Sequence, residues 1–78
     1  MKYTVIIEEG PTSYGAYIPD LPGCIAAADT REGVVRLIEE AVVYHLELMA
    51  ESGEPIPKPQ ATAIEVEVRQ PARVNMST

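Results

Sequence analysis

Three groups of residues carry side chains suited to chemistry: the single histidine His45, the single cysteine Cys24, and the carboxylates Glu8, Glu9, Asp20 and Asp29. A catalytic or ligating histidine needs partners at the same place. The acids near His45 are Glu39, Glu40 and Glu47, and helical spacing puts them on the opposite side. His45 therefore reads as a buried or interface histidine with a satisfied hydrogen bond. A nucleophilic cysteine needs a positioned base, and no signature pairs Cys24 with His45. Cys24 reads as a small buried thiol at a strand start. Clustered carboxylates would serve a metal-dependent nuclease, with Glu8, Asp20 and Asp29 as its ligands. However, Glu8 and Glu9 are adjacent and point to opposite faces of an extended strand. Asp20 has a place in a turn, and Asp29 sits beside a helix start, where negative charge is favourable. Neither GxGxxG nor GxxxxGK[ST] occurs. The expectation is no catalytic residue, no cofactor and no metal, and hence a binding role.

The whole-chain quantities narrow the class of partner. The 78 residues hold twelve acids against six bases, a net charge of -6. A nucleic-acid binder usually carries a basic patch, so direct nucleic-acid binding is not expected. An acidic domain is better suited to a basic protein partner. Hydrophobic residues make up 46% of the chain, which fits a folded domain rather than a disordered one. With one cysteine, no internal disulfide can staple so small a core, which leaves oligomerisation as the way to bury more surface. No charged leader with an apolar run and no membrane-length apolar stretch is seen, so the expected location is the cytoplasm.

The elements that would position these residues follow from the spacing. Lys2 to Glu8 reads as a strand with Tyr3, Val5 and Ile7 on one face, and Gly10-Pro11-Thr12-Ser13 reads as a turn. Tyr14 to Ile18 is the second strand of a hairpin. Pro19 ends it. Leu21-Pro22-Gly23-Cys24 then has proline and glycine where a type II turn needs them. Cys24 to Ala28 is a short strand whose three alanines leave room for close packing. Thr30 is a good N-cap for a helix over residues 31–52, with Glu32 in its first turn, Gly53 as its stop and Pro55 beyond. Gly33 costs that helix roughly 1 kcal/mol of propensity relative to alanine.

The apolar stripe of the helix is wide. Val34, Leu37, Ile38, Ala41, Tyr44, Leu48 and Met49 recur at helical spacing, and Val35, Val42 and Leu46 widen the stripe. Two packing surfaces are expected: one on the chain's own sheet and one on a second subunit, through Val35, Val42, His45, Leu46 and Met49. Glu54-Pro55-Ile56-Pro57-Lys58-Pro59 is a stiff connector. Ala63 to Val68 alternates cleanly, with Ile64, Val66 and Val68 facing a core and Glu65 and Glu67 facing solvent or a partner. The order is β-β-β-α-β, an α+β fold. A right-handed crossover gives the sheet order 3-2-1-4, with the long helix on one face. Residues 1–68 form the domain and 69–78 a flexible tail.

In context, KYTVIIEE, YGAYIPDLPGC, ADT at the helix start and GEPIPKP after it resemble the HicB family of antitoxins, over roughly residues 2–68. The resemblance implies a partial RNase H-like fold without nuclease activity. It also implies a type II antitoxin that neutralises a HicA-like messenger-RNA-cleaving ribonuclease, a small basic protein, by covering its active surface. A homodimer or higher oligomer is implied too. Many members carry a C-terminal DNA-binding module, and because none follows the last expected strand, operator binding is not carried over. Gly33 departs from the acidic residue usual after the helix start, which removes half of a capping box. The expected partner surface is Tyr17, Asp20, Leu21 and Pro22 of an exposed corner tip, with acidic support from Glu65 and Glu67. The alternatives are a stand-alone structural or regulatory oligomer without a toxin, and the residual nuclease considered above.

Overall fold

Four elements form over residues 1–70, the residues that the computed structural model describes. They are β1 (Ile6–Glu9), β2 (Tyr14–Tyr17), β3 (Ile25–Ala28) and α1 (Arg31–Glu51). Of the expected tail over 69–78, residues 71–78 lie outside the described residues. The strands are shorter than the apolar alternation suggests, because ladder hydrogen bonds begin only where the hairpin partners meet. β1 pairs with β2 antiparallel, Ile6 opposite Tyr17 and Glu9 opposite Tyr14. β2 pairs with β3 antiparallel, Tyr14 opposite Ala28 and Tyr17 opposite Ile25. The Gly10 N–H donates to the Ser13 carbonyl at 2.8 Å and closes the hairpin loop.

The sheet order is β1-β2-β3, as expected for the first three strands. The expected fourth strand over 63–68 does not form in the single chain. Ile64, Val66 and Val68, expected on the core face, are 80%, 70% and 76% exposed. The physical reason is that alternation specifies a face, whereas a strand also needs a neighbour to take its backbone hydrogen bonds. The connector is held at Ala61 beside Thr4, just before β1, yet residues 63–68 beyond it form no strand.

The helix starts and stops where its caps dictate. The Thr30 side-chain oxygen accepts from the Gly33 N–H at 3.0 Å. At the other end Gly53 takes φ +73°, its N–H donates to the Ala50 carbonyl, and the Glu54 N–H donates to the Met49 carbonyl at 2.9 Å. That pair of bonds is a Schellman motif, and the positive φ required just past the cap is why glycine stands there. The helix packs over β2 and β3 and does not reach β1. Its buried residues are Val34 and Ile38. They meet Ala16, Ile18, Leu21 and Cys24, and these six are the fully buried core.

Gly33 belongs to this packing. A methyl group there would stand 2.9 Å from the Thr30 Oγ1 and 3.3 Å from the Ala28 Cβ. The small side chains of β3 thus let the helix start sit close to the sheet, and glycine gives up propensity so that this approach and the cap coexist. We expect Gly33→Ala to lower stability by about 1 kcal/mol. The alanine gains roughly 1 kcal/mol of helix propensity, while disturbing the cap costs ~1 kcal/mol and overpacking about 1 kcal/mol more. Urea unfolding followed by helix ellipticity measures the balance. A stabilised variant would show that the cap simply shifts to make room.

Among the expected helix interface residues, Val42, Leu46 and Met49 are half-buried and pack against the chain's own core. Leu37, Tyr44 and Leu48, expected on the core stripe, are exposed, as is Val43. The two faces of the stripe are therefore partly exchanged. The helix lies over β2 and β3, while Val42 and Leu46 face Tyr3 and Val5 across an open cleft on the β1 side.

Candidate functional site

The corner between β2 and β3 is built from two consecutive turns. The Leu21 N–H donates to the Ile18 carbonyl at 3.0 Å, and the Cys24 N–H donates to the Leu21 carbonyl at 3.0 Å. Gly23 has φ +88°, and with Pro22 before it the second turn has the residue pattern of type II. The Ile18 N–H reaches the Cys24 carbonyl at 3.3 Å and ties the two ends of the corner together.

This folding decides which corner side chains face out. Leu21 is only 1% exposed and is one of the largest fully buried side chains. Asp20 is half-buried and already engaged: its carboxylate accepts from the Gln60 N–H at 3.0 Å and from the Ala61 N–H at 3.0 and 3.2 Å. The exposed tip expected from the sequence is thus corrected. Pro22 is exposed, Asp20 is an internal anchor, and Leu21 is core. The reason is the tight double turn, which folds the one large apolar side chain of the tip back beneath it. Tyr17 is exposed on β2. Glu65 and Glu67 are exposed on the segment after the connector.

Two further bonds hold that connector. The Tyr3 hydroxyl donates to the Pro57 carbonyl, and the Thr4 hydroxyl donates to the Ala61 carbonyl at 2.8 Å. Between the corner and the last turns of α1 lies an open cleft of about 370 Å³, lined by Pro22, His45, Leu48, Met49, Glu54 and Pro57 among others. The His45 ring lies beside the turn, its Cε1 3.9 Å from where a Cβ on Gly23 would stand. His45 is half-buried, and in the single chain it has no hydrogen-bond partner among the described residues, unlike the satisfied histidine expected. The cleft was not foreseen from the sequence. Its one available signal was the placement of His45, Leu48 and Met49 on one helix face.

Cys24 is 2% exposed, and burial raises its thiol pKa above the ordinary value by penalising the thiolate. That suits a packing residue and not a nucleophile. We expect iodoacetamide to leave the folded protein unmodified under conditions that alkylate the urea-unfolded chain; equal rates would show an accessible thiol. Because the folded pKa is the higher one, the unfolded chain loses its proton first as pH rises. The native thiol therefore supports stability fully below the ordinary thiol range. That support is lost as pH climbs toward the raised folded value. The described residues hold no group of three or more potential metal ligands, and no helix among them is long and apolar enough to cross a membrane.

A scaffold of one hairpin-led sheet, one long helix and a proline-rich connector pinned by a corner aspartate can be compared with known proteins as a whole. Residues 3–76 match the family described as the HicB-like antitoxin of bacterial toxin-antitoxin systems. The chain belongs to that family. Curated relatives include Antitoxin HicB 2 of Photorhabdus laumondii, 31% identical over 95% of this chain and 52% of its own length. A protein of the rep-hol intergenic region of Haemophilus phage HP1 is 37% identical over 91% of this chain and 52% of its own. The UPF0150 protein ssr1765 of Synechocystis is 37% identical over 73% of each. The chain thus spans about half the length of the first and second of these relatives. Among solved structures, a chain of a HicA3 and HicB3 toxin-antitoxin complex matches with a TM-score of 0.65 and 30% identity, over 76% of this chain and 70% of that one. The family is described as one of antitoxins, and the expectation of a binding role without catalysis accords with that description. The α+β architecture of a HicB-like chain is thereby shared, with three strands and the helix formed here.

Proposed function

We propose that this chain is the antitoxin of a type II toxin-antitoxin system. It binds a HicA-like, messenger-RNA-cleaving ribonuclease in the cytoplasm and covers its active surface. The observation that carries this reading is the likeness, at 30% identity, to a chain of a complex of HicA3 with HicB3. The physical argument is charge: a chain of net charge -6 is steered toward a basic ribonuclease and away from nucleic acid. The partial RNase H-like reading of the fold belongs to the same proposal.

The partner surface is best supplied by Tyr17, Pro22, Glu65 and Glu67, all exposed, of which Pro22 lines the cleft that holds His45. Asp20 and Leu21 support that surface from beneath. The test is co-purification with a small basic protein encoded beside it, together with restored growth when both are expressed. Glu65→Lys with Glu67→Lys should weaken the complex and its sensitivity to salt. Failure both to bind and to protect would remove the reading.

A second reading is a homo-oligomer without a toxin. The exposed helix residues Leu37, Val43, Tyr44 and Leu48 favour it. On that reading they extend the contact sought from Val35, Val42, His45, Leu46 and Met49, all half-buried in the single chain. Light scattering on the purified protein alone, with and without the neighbouring gene product, separates the two.

A further inference from the structure

The segment after the connector and the outer edge of β1 are two unmet halves of one structure. Ile64, Val66 and Val68 stand at spacing two and are largely exposed, with Glu65 and Glu67 between them. Such alternation has a purpose only where one face is covered. β1 lies at the edge of the sheet, with β2 on one side and no strand on the other among the described residues. Because α1 crosses β2 and β3 only, the face beside β1 stays open. There an apolar cleft of about 280 Å³ opens, lined by Tyr3, Val5, Ile18, Ile38, Val42 and Leu46 among others.

We propose that residues 62–68 of one copy of this chain form the fourth strand on the β1 edge of a second copy, with Ile64, Val66 and Val68 seated over that cleft, and that the exchange is reciprocal.

Three observations select a second copy as the occupant. First, the connector is held to its own sheet up to residue 61 and no further. The Thr4 hydroxyl binds the Ala61 carbonyl, and the Asp20 carboxylate binds the Gln60 and Ala61 N–H groups. Beyond that point residues 62–68 project away, exposed at every position. Second, the shape records the projection. The long axis is 53 Å and the radius of gyration 15.9 Å, against about 11–12 Å for a compact chain of this length. Third, every copy carries both the donor segment and the acceptor edge. A two-fold axis therefore satisfies both at once and closes the assembly. It also removes the open edge that would otherwise template aggregation. The six-residue core of the single chain is small, and the exchange enlarges it.

The exchange involves this chain alone and stands independently of whether a toxin is bound. Glu65 and Glu67 would lie on the face away from the cleft, still open to another protein. Light scattering on the full chain tests it, with an expected mass of twice the 8.5 kDa chain. Ile64→Lys with Val66→Lys should shift the protein to the single-chain mass while helix ellipticity is retained, because both side chains are exposed in the single chain. Hydrogen exchange on the unsubstituted protein gives a second readout. Amides within 62–68 should be protected at high concentration and lose that protection on dilution. Three results each overturn the proposal: a monomer at every concentration, a dimer that survives the double substitution, or protection of 62–68 that dilution does not change. The last would mean that the segment returns to its own sheet.

Discussion

Leu21→Ala should lower the unfolding free energy by about 2–5 kcal/mol, the range for removing a large aliphatic side chain from a packed core. Leu21 is fully buried and sits beneath the turn that Pro22 and Gly23 make. It touches the core on the side where the corner meets the helix, so its loss leaves a cavity that the rigid double turn cannot collapse into. A domain of this size has a total stability of only ~4–12 kcal/mol. The variant should therefore be partly unfolded near physiological temperature. Urea titration followed by ellipticity gives the size of the effect. Weakened toxin binding by this variant would follow from lost structure, so the informative comparison is Pro22→Ala, exposed at the same tip. A Leu21→Ala protein with unchanged stability would mean that the corner is not part of the core.

Asp20→Ala should cost about 1.5–3 kcal/mol, the range for hydrogen bonds to a charged acceptor. The lower end is expected because the Gln60 bond is solvent-exposed. The carboxylate is the clamp that holds residues 60 and 61 against the corner, 40 positions away in sequence. Without it the Thr4 and Tyr3 bonds alone retain the connector. The expected signature is local: amides of residues 60 and 61 lose protection, while those of α1 change only by the global loss of stability. Asp20→Asn keeps one acceptor oxygen and should fall between the parent and Asp20→Ala. If both variants match the parent, the clamp contributes nothing in solution. On the exchange proposal the clamp also sets where the donor segment departs, so Asp20→Ala should loosen the dimer as well.

The corner shows how far local sequence reaches. Pro19, Pro22 and Gly23 dictate chain direction through their own φ preferences, so the turn type, the ends of the flanking strands and the start of the helix at Thr30 were all readable without tertiary information. The orientation of the side chains on that corner was not. Leu21 and Asp20 look alike as candidates for an exposed tip until the double turn is closed, after which one is core and the other a clamp. Likewise, the width of the helix stripe was legible, but its division into inner and outer faces depended on which strands the helix covers.

Residue types and their order were enough for the α+β class, the β-hairpin, the type II corner, the capped helix and the resemblance to HicB antitoxins. Each rests on a residue type acting over a few positions, or on a period read along one element. Three outcomes needed the folded chain: Gly33 serves a close helix-to-sheet approach, Asp20 binds a connector 40 residues on, and residues 63–68 do not pair within the single chain. Those outcomes depend on contacts between distant segments, and on whether a backbone finds a neighbour. Periodicity states which face of a strand is apolar, but not which sheet supplies its partner.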